Sequence, residues 1–350
     1  MISPSDWASW RAAIIELGAI PGVSGHEDAI ARALADRLAP LADAVTIDAL
    51  ANVTARFGPP GAAPRVAVVA HADTVGFLVK RVDPAGFLRV VPVGGVNVKA
   101  LPGAAVRVGE HPGVIAVRAQ HLARPGDEAA SLDALAIEID PALAASIAVT
   151  TPVVYAPQTV PLGDSLLASP YLDNRAGCAV LLALAARLRA EPPACAVYLI
   201  ASAQEETTCA GAYHALAEVR PDLALFVDGT VSYDTPETQS QGAVWLGGGP
   251  VLLASLYVSG LNGWHAHPGL RAHLAQVAAS AGLPVQHDAV RGLMSDARVA
   301  QPLAIPSALI GLPMRGKHAP LETIDLRDAA AAVDLLATAL RGPLPSLSRG

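Results

Sequence analysis

The chain reads as an α/β protein: a mainly parallel sheet flanked by helices, with a small all-β barrel inserted into it. Three observations predict this. Helical periodicity alternates with short continuous apolar runs toward both ends of the chain, as parallel strands covered on both faces by helices require. Between about 77 and 161 the texture changes to short β-like runs separated by Gly/Pro turns, the mark of a small barrel or sandwich. Finally, 52% of the 350 residues are hydrophobic and 16% charged, which supplies a sizeable core and excludes a disordered chain. The expected division is an α/β part formed by 1–76 and 162–350, interrupted by a barrel at 77–161.

The elements follow in order. Residues 5–40 are expected to be helical, since Trp7, Trp10, Ile14, Ile15 and Leu17 recur at roughly that period. Pro21-Gly22 breaks the pattern, and Ser24 is placed as the N-cap of a second helix with Glu27 in its first turn. Arg65–Ala70 is a continuous apolar run, hence a strand buried on both faces. The barrel is built from Phe87–Val93, Ala105–Val108, Gly113–Arg118, Ala134–Ile139 and Thr151–Tyr155. Beyond Ser169 come a helix at 174–190, a strand at Ala196–Ala203 and a helix at 209–219. Strands at Leu223–Val227 and Val251–Val258, a helix at 269–281, a strand near Ala304–Leu312 and a helix at 326–341 complete the chain.

Composition also excludes function classes. The net charge is −7 and no basic stripe is present, which argues against nucleic-acid binding through phosphates. Cys178, Cys195 and Cys209 form no C-x-x-C pair, so neither a disulfide framework nor a thiolate zinc site is expected, and a reducing compartment suits them. The first residues lack the basic stretch and small-residue cleavage site of a secretory signal. No apolar run reaches the ~18 residues of a membrane span. The expectation is a soluble cytoplasmic protein with neither nucleic-acid nor membrane partner.

In open α/β sheets functional groups gather at the carboxyl ends of strands. By that rule the strand at 65–70 delivers His71 and Asp73, the strand at 196–203 delivers Glu205 and Glu206, Leu223–Val227 delivers Asp228, and the strand near 312 leads to His318. Asp173 precedes an apolar helix, at or near its N-terminus. Two imidazoles and three carboxylates form a coherent ligand set for two divalent cations, because a shared carboxylate can bridge ions about 3.5–4 Å apart. Asp73 lies two residues beyond His71, on the same side of an extended segment, and is placed to fix the histidine tautomer. Of the adjacent Glu205 and Glu206, one can bind metal while the other acts as general base; residue chemistry alone leaves open which does which.

Ala70-His-Ala-Asp-Thr-Val-Gly-Phe77 resembles a segment of the M42 family of metalloaminopeptidases, and further segments resemble that family in the same order. They are Pro21-Gly-Val-Ser-Gly25, Pro92-Val-Gly-Gly95, Leu172-Asp-Asn-Arg-Ala-Gly-Cys178, Gln204-Glu-Glu206, Val227-Asp228, Gly282-Leu-Pro-Val-Gln286, Ser295-Asp-Ala297 and Pro313-Met-Arg-Gly-Lys-His318. The likeness spans nearly the whole chain. It implies a zinc-peptidase-like fold and a metal-dependent aminopeptidase that hydrolyses N-terminal residues from short peptides. It also implies two divalent ions per subunit, zinc or cobalt with manganese as a further candidate, and homo-oligomers built from dimers, up to a dodecamer. By the same resemblance His71 and Asp228 hold one ion, Glu206 and His318 the other, Asp173 bridges them, and Glu205 is the general base.

The chain departs from the family pattern at Thr74, Asn174, Thr207-Thr208, Gly316-Lys317 and Ala319. None of these removes one of the five metal ligands, and several flank the pocket that would select the substrate. Two other readings compete: the same metal site acting on a different amide, such as an acylated amino acid or specialised dipeptide, and a non-catalytic assembly protein with a degenerate site. Other motifs carry less. Gly163-Asp-Ser-Leu166 lacks the context of a serine esterase. Trp264-His265-Ala-His267 is expected to be a flexible loop, Gly247-Gly-Gly249 a turn, Cys178 and Cys209 small core residues, and His214 a helix residue that binds no metal.

Overall fold

The structure is a computed structural model that describes residues 6–59, 61–117, 120–122, 135–193, 195–260, 262–345 and 347. Ser5, Arg118 and Ala134, at the ends of three expected elements, lie outside them.

A twelve-stranded sheet forms the body. Its centre is parallel, in the order Ala196–Ser202, Arg65–His71, Leu223–Val231, Ser307–Arg315. Both flanks are antiparallel: Val53–Phe57 and Ala44–Ile47 on one side, Glu322–Asp325, Leu166–Ser169 and Val160–Leu162 on the other. The strand Val251–Tyr257 branches from Ser307–Arg315 and carries two further short strands. Alternation along Arg65–His71 builds two cores at once. Val66, Val68 and Ala70 face the larger one, shared with five helices, whereas Ala67 and Val69 face a smaller one with the helix Ala210–Val219.

The helix Leu172–Ala190 is buried almost along its whole length. It lies against the sheet, the helix Trp7–Ala19 and the helix Leu326–Arg341. An apolar sequence on every side fits a helix enclosed on every side, and the alanines Ala176, Ala179, Ala329 and Ala332 let the backbones approach closely. Leu184 is fully buried there, so its truncation to alanine costs about 2–5 kcal/mol.

The insertion is a closed six-stranded barrel. Its strands are Gly76–Val82, Leu88–Val93, Ala105–Val108, His111–Ile115, Ile137–Glu138 and Pro152–Tyr155. The core is formed by Phe77, Val79, Leu88, Val106, Ile115 and Val153. The first barrel strand begins at Gly76, with only four residues between it and His71, so the barrel stands beside the carboxyl ends of the parallel strands.

Some expectations are corrected. Ser24 does not cap the second helix, which spans Asp28–Leu38 with Glu27 at the cap position and Asp28 in the first turn. The Ser24 hydroxyl instead bonds Thr207 at 2.9 Å, and Glu27 accepts the N–H groups of Gly25 and Gln204. The central strands run further than their apolar stretches, Leu223–Val231 past Asp228 and Ser307–Arg315 past Leu312. Trp264-His265 is no loop: Gly263–His265 is a strand, Trp264 is buried, and His267 accepts a hydrogen bond from the Leu270 N–H at the start of the helix Pro268–Ala281. Gly247–Gly249 does form a turn, whose Gly247 and Gly249 N–H groups donate to Asp328 at 2.8 and 2.7 Å.

Candidate active site

The structure brings together every residue singled out from the strand ends. His71 closes the strand Arg65–His71, and Asp228 sits on the neighbouring strand, opposite Gly311 in register. Glu205 and Glu206 lie in a turn beyond Ala196–Ser202, so strand alternation does not separate their side chains. Asp173 opens the buried helix with non-helical backbone angles (φ −83°, ψ 102°), and His318 lies beyond Ser307–Arg315 with φ 64°.

The distances define a centre with two halves. His71 Nε2 is 3.4 Å from Asp173 Oδ1, 3.5 Å from Asp228 Oδ1 and 3.8 Å from Glu205 Oε2. His318 Nε2 is 3.2 Å from Asp173 Oδ2 and 3.3 Å from Glu206 Oε2. Asp173 therefore turns one oxygen to each histidine. Gly229 permits this approach, since a Cβ there would lie 3.0 Å from Asp173 Oδ1 and closer still to Met314.

Asp73 does more than face His71. Its carboxylate, fully buried, lies 3.5 Å from His71 Nδ1, while its backbone carbonyl lies 3.2 Å from that nitrogen. The same carboxylate accepts the N–H of Glu205 at 2.9 Å and of Glu206 at 3.1 Å, so one residue sets both the histidine and the glutamate turn. His318 Nδ1 is held 2.6 Å from the Gly95 carbonyl. Those contacts turn both Nε2 atoms toward the carboxylates.

The electrostatics follow from burial and crowding. Burial opposes the charge on His71, but the carboxylates of Glu205, Asp228 and Asp73 close around it outweigh that and raise the imidazole well above its usual value. Burial lifts Glu205 and Glu206 well above the carboxylate range against the opposing charge of His71. Asp73 moves the other way: burial raises it, and the His71 contact with the two backbone donors lowers it further. Burial and the Lys317 charge push His318 down to about 4. Acidic groups this crowded and this dry either keep their protons or share a compensating cation.

The residues fit a metal. His71 Nε2, Asp173 Oδ1, Glu206 Oε1 and Asp228 Oδ1 are buried side-chain atoms with no hydrogen-bond partner among the described residues. Ligating atoms of His71, Asp173 and Glu206 lie within 4.8 Å of one another. Donor atoms about 2.0–2.2 Å from a tetrahedral ion lie roughly 3.4 Å apart, and the separations of 3.2–3.5 Å match that spacing. A second cluster of this kind, Asp48, His214 and Glu218, lies at the surface; the sequence reading gave His214 no metal role.

Several groups here were missed from sequence. Glu322 accepts the N–H of Asp173 at 2.8 Å and of His318 at 2.5 Å, tying two candidate ligands to one buried acid. Arg175, fully buried, donates to the carbonyls of Ala72 at 2.7 Å and Ile20 at 3.0 Å, bracing the chain just beyond His71. Lys317 contacts Asp173 Oδ2 directly, and burial brings its ammonium down to about 8. Only Lys317 carried a sequence signal, as the unusual residue before His318. A cleft of about 270 Å³ opens onto Glu205, Glu206, Lys317 and His318. A second, of about 660 Å³, shares Lys317 and His318 and extends along Ser232, Tyr233 and Arg291.

Imidazoles and carboxylates converging at the carboxyl rim of a parallel sheet, beside clefts of ligand size, form a candidate metal centre of the kind hydrolases use. The sequence profile of the M42 glutamyl aminopeptidase family matches residues 51–335, and the chain belongs to that family. SgcX of Escherichia coli (strain K12) is 36% identical, over 91% of this chain and 90% of its own. The lysyl aminopeptidase of Pyrococcus furiosus is 33% identical, over 90% and 92%. Among solved structures, the aminopeptidase APDkam598 of the archaeon Desulfurococcus kamchatkensis superimposes with a TM-score of 0.89 at 27% identity, covering 97% of this chain and 96% of its own. The chain is thus an aminopeptidase-family hydrolase.

Proposed function

We propose that the protein removes N-terminal residues from short peptides with a pair of divalent cations, zinc or cobalt, with manganese also compatible with the donor set. The observation that carries this reading is the group of four buried, unpartnered donor atoms on His71, Asp173, Glu206 and Asp228. His71 and Asp228 would hold one ion, Glu206 and His318 the other, with Asp173 shared between them. Bound there, the ions supply Lewis acidity, which polarises a carbonyl and acidifies water.

The protein's own groups do the rest. Glu205 lies on the His71 side, and its burial raises its affinity for a proton. It takes a proton from the attacking water and delivers it to the leaving amine. Asp73 fixes the position of Glu205 through the backbone N–H it accepts, and Glu322 fixes Asp173 and His318 relative to each other. A panel of aminoacyl chromogenic substrates, with and without chelator, tests the reading. Chelator-sensitive release from at least one of them is expected; turnover confined to acylated amino acids would replace it.

The same reading divides the chain into a catalytic part of 1–76 and 162–350 and a barrel of 77–161. It also includes a homo-oligomer assembled from dimers, up to a dodecamer. Exposed Val91 and Val114 on the barrel, with Val160 and Leu162 on the sheet edge, support assembly by offering apolar surface. Light scattering on the purified chain measures this directly. A cytoplasmic location is supported by three buried, unpaired cysteines. Among the described residues no helix is long and apolar enough to cross a membrane.

A further inference from the structure

The two halves of the centre are not equivalent. On the His71 side all three facing atoms, His71 Nε2, Asp173 Oδ1 and Asp228 Oδ1, lack a hydrogen-bond partner among the described residues. On the His318 side one acceptor already carries a positive group. The Lys317 ammonium contacts Asp173 Oδ2, the same oxygen that lies 3.2 Å from His318 Nε2. The lysine side chain is 14% exposed and its acceptor 1%, so water screens the pair little. An ion on this side shares its carboxylate oxygen with a neighbouring positive charge, or drives the ammonium out into the adjoining clefts that Lys317 lines.

We propose that Lys317 makes the two ion positions unequal: the His71–Asp173–Asp228 side loads first and tightly, and the Glu206–His318 side accepts an ion only by displacing the lysine from Asp173. This rests on the metal-dependent reading above. In this chain the ammonium acts as a built-in competitor for the second ion, so that the number of ions bound responds to the free metal concentration.

The test is metal stoichiometry, independent of turnover. The full chain is stripped with chelator, titrated calorimetrically with Zn²⁺, and its metal content is measured after gel filtration. The wild type is expected to retain about one ion per chain, with a second binding weakly. Lys317→Met, which keeps most of the length and removes the charge, should retain about two, its second ion bound about tenfold or more tighter. Lys317→Gln should do the same, and serves if the methionine variant fails to fold by circular dichroism. Two equally tight ions in the wild type, or a second affinity unchanged in both variants, would overturn the role of Lys317 while leaving the metal site intact. No binding by any of the three proteins would instead remove the metal reading itself, and this inference with it.

Discussion

Replacing Asp73 by asparagine tests the centre without changing a proposed ligand. The side chain keeps its shape, but only one oxygen remains to accept from the Glu205 and Glu206 N–H groups, now at 2.9 and 3.1 Å. The amide NH₂ then faces a backbone donor, and the negative charge 3.5 Å from His71 Nδ1 is gone. A hydrogen bond to a charged acceptor contributes about 1.5–3 kcal/mol, and leaving a buried donor unmatched costs a similar amount. Chemical denaturation should therefore show a loss of about 1.5–3 kcal/mol. Because the residue orients both His71 and the glutamate turn, kcat or metal affinity should fall about 10–100-fold. The pH dependence has a definite sign. The folded-state pKa of Asp73 is lowered, so its stabilisation is fully present above the unfolded value of about 3.9 and is lost as pH falls through the lower folded value. The stability gap between wild type and Asp73→Asn should thus stay constant from neutral to mildly acidic pH and close only in strong acid. Wild-type kcat, wild-type metal affinity and no gap in denaturation would refute the reasoning.

Further outcomes follow from the same geometry. Glu205→Gln should keep its metal content by elemental analysis and lose about 10²–10⁴ in kcat; full turnover would remove Glu205 as the base. Asp173→Ala should lower metal content itself, because both halves of the centre share that carboxylate. Leu184→Ala should lose about 2–5 kcal/mol of stability while activity per folded molecule stays unchanged, since Leu184 lies about three helical turns along its helix from Asp173.

What the sequence made legible follows the physics of each part. Strands such as Arg65–His71 were readable because burial on both faces demands a continuous apolar run. The strand ends then pointed to six of the candidate groups and a helix start to Asp173, and all seven lie together. The edge strands Ala44–Ile47 and Val160–Leu162 were not readable, because they are short and mostly exposed and carry no periodic signal. Ser24 has the chemistry of a cap, yet Thr207, distant in sequence, claims its hydroxyl. Glu322 and Arg175 act through backbone N–H and carbonyl groups, and such contacts leave no mark in residue spacing. Lys317 stood out as an unusual residue, but its contact with Asp173 is a tertiary fact.

The hold on His318 has a consequence for the insertion. Gly95, just past the barrel strand Leu88–Val93, supplies the carbonyl at 2.6 Å from the imidazole; Asn97 donates its N–H to the His318 carbonyl at 3.2 Å, and the Tyr155 hydroxyl reaches that carbonyl at 3.4 Å. The graft is therefore no detachable accessory. Chimeras that exchange it for a foreign module, or loops engineered between 94 and 97, would slacken a histidine borne by the opposite end of the polypeptide, and any drift of the graft against its host during divergence must keep that one ring in place.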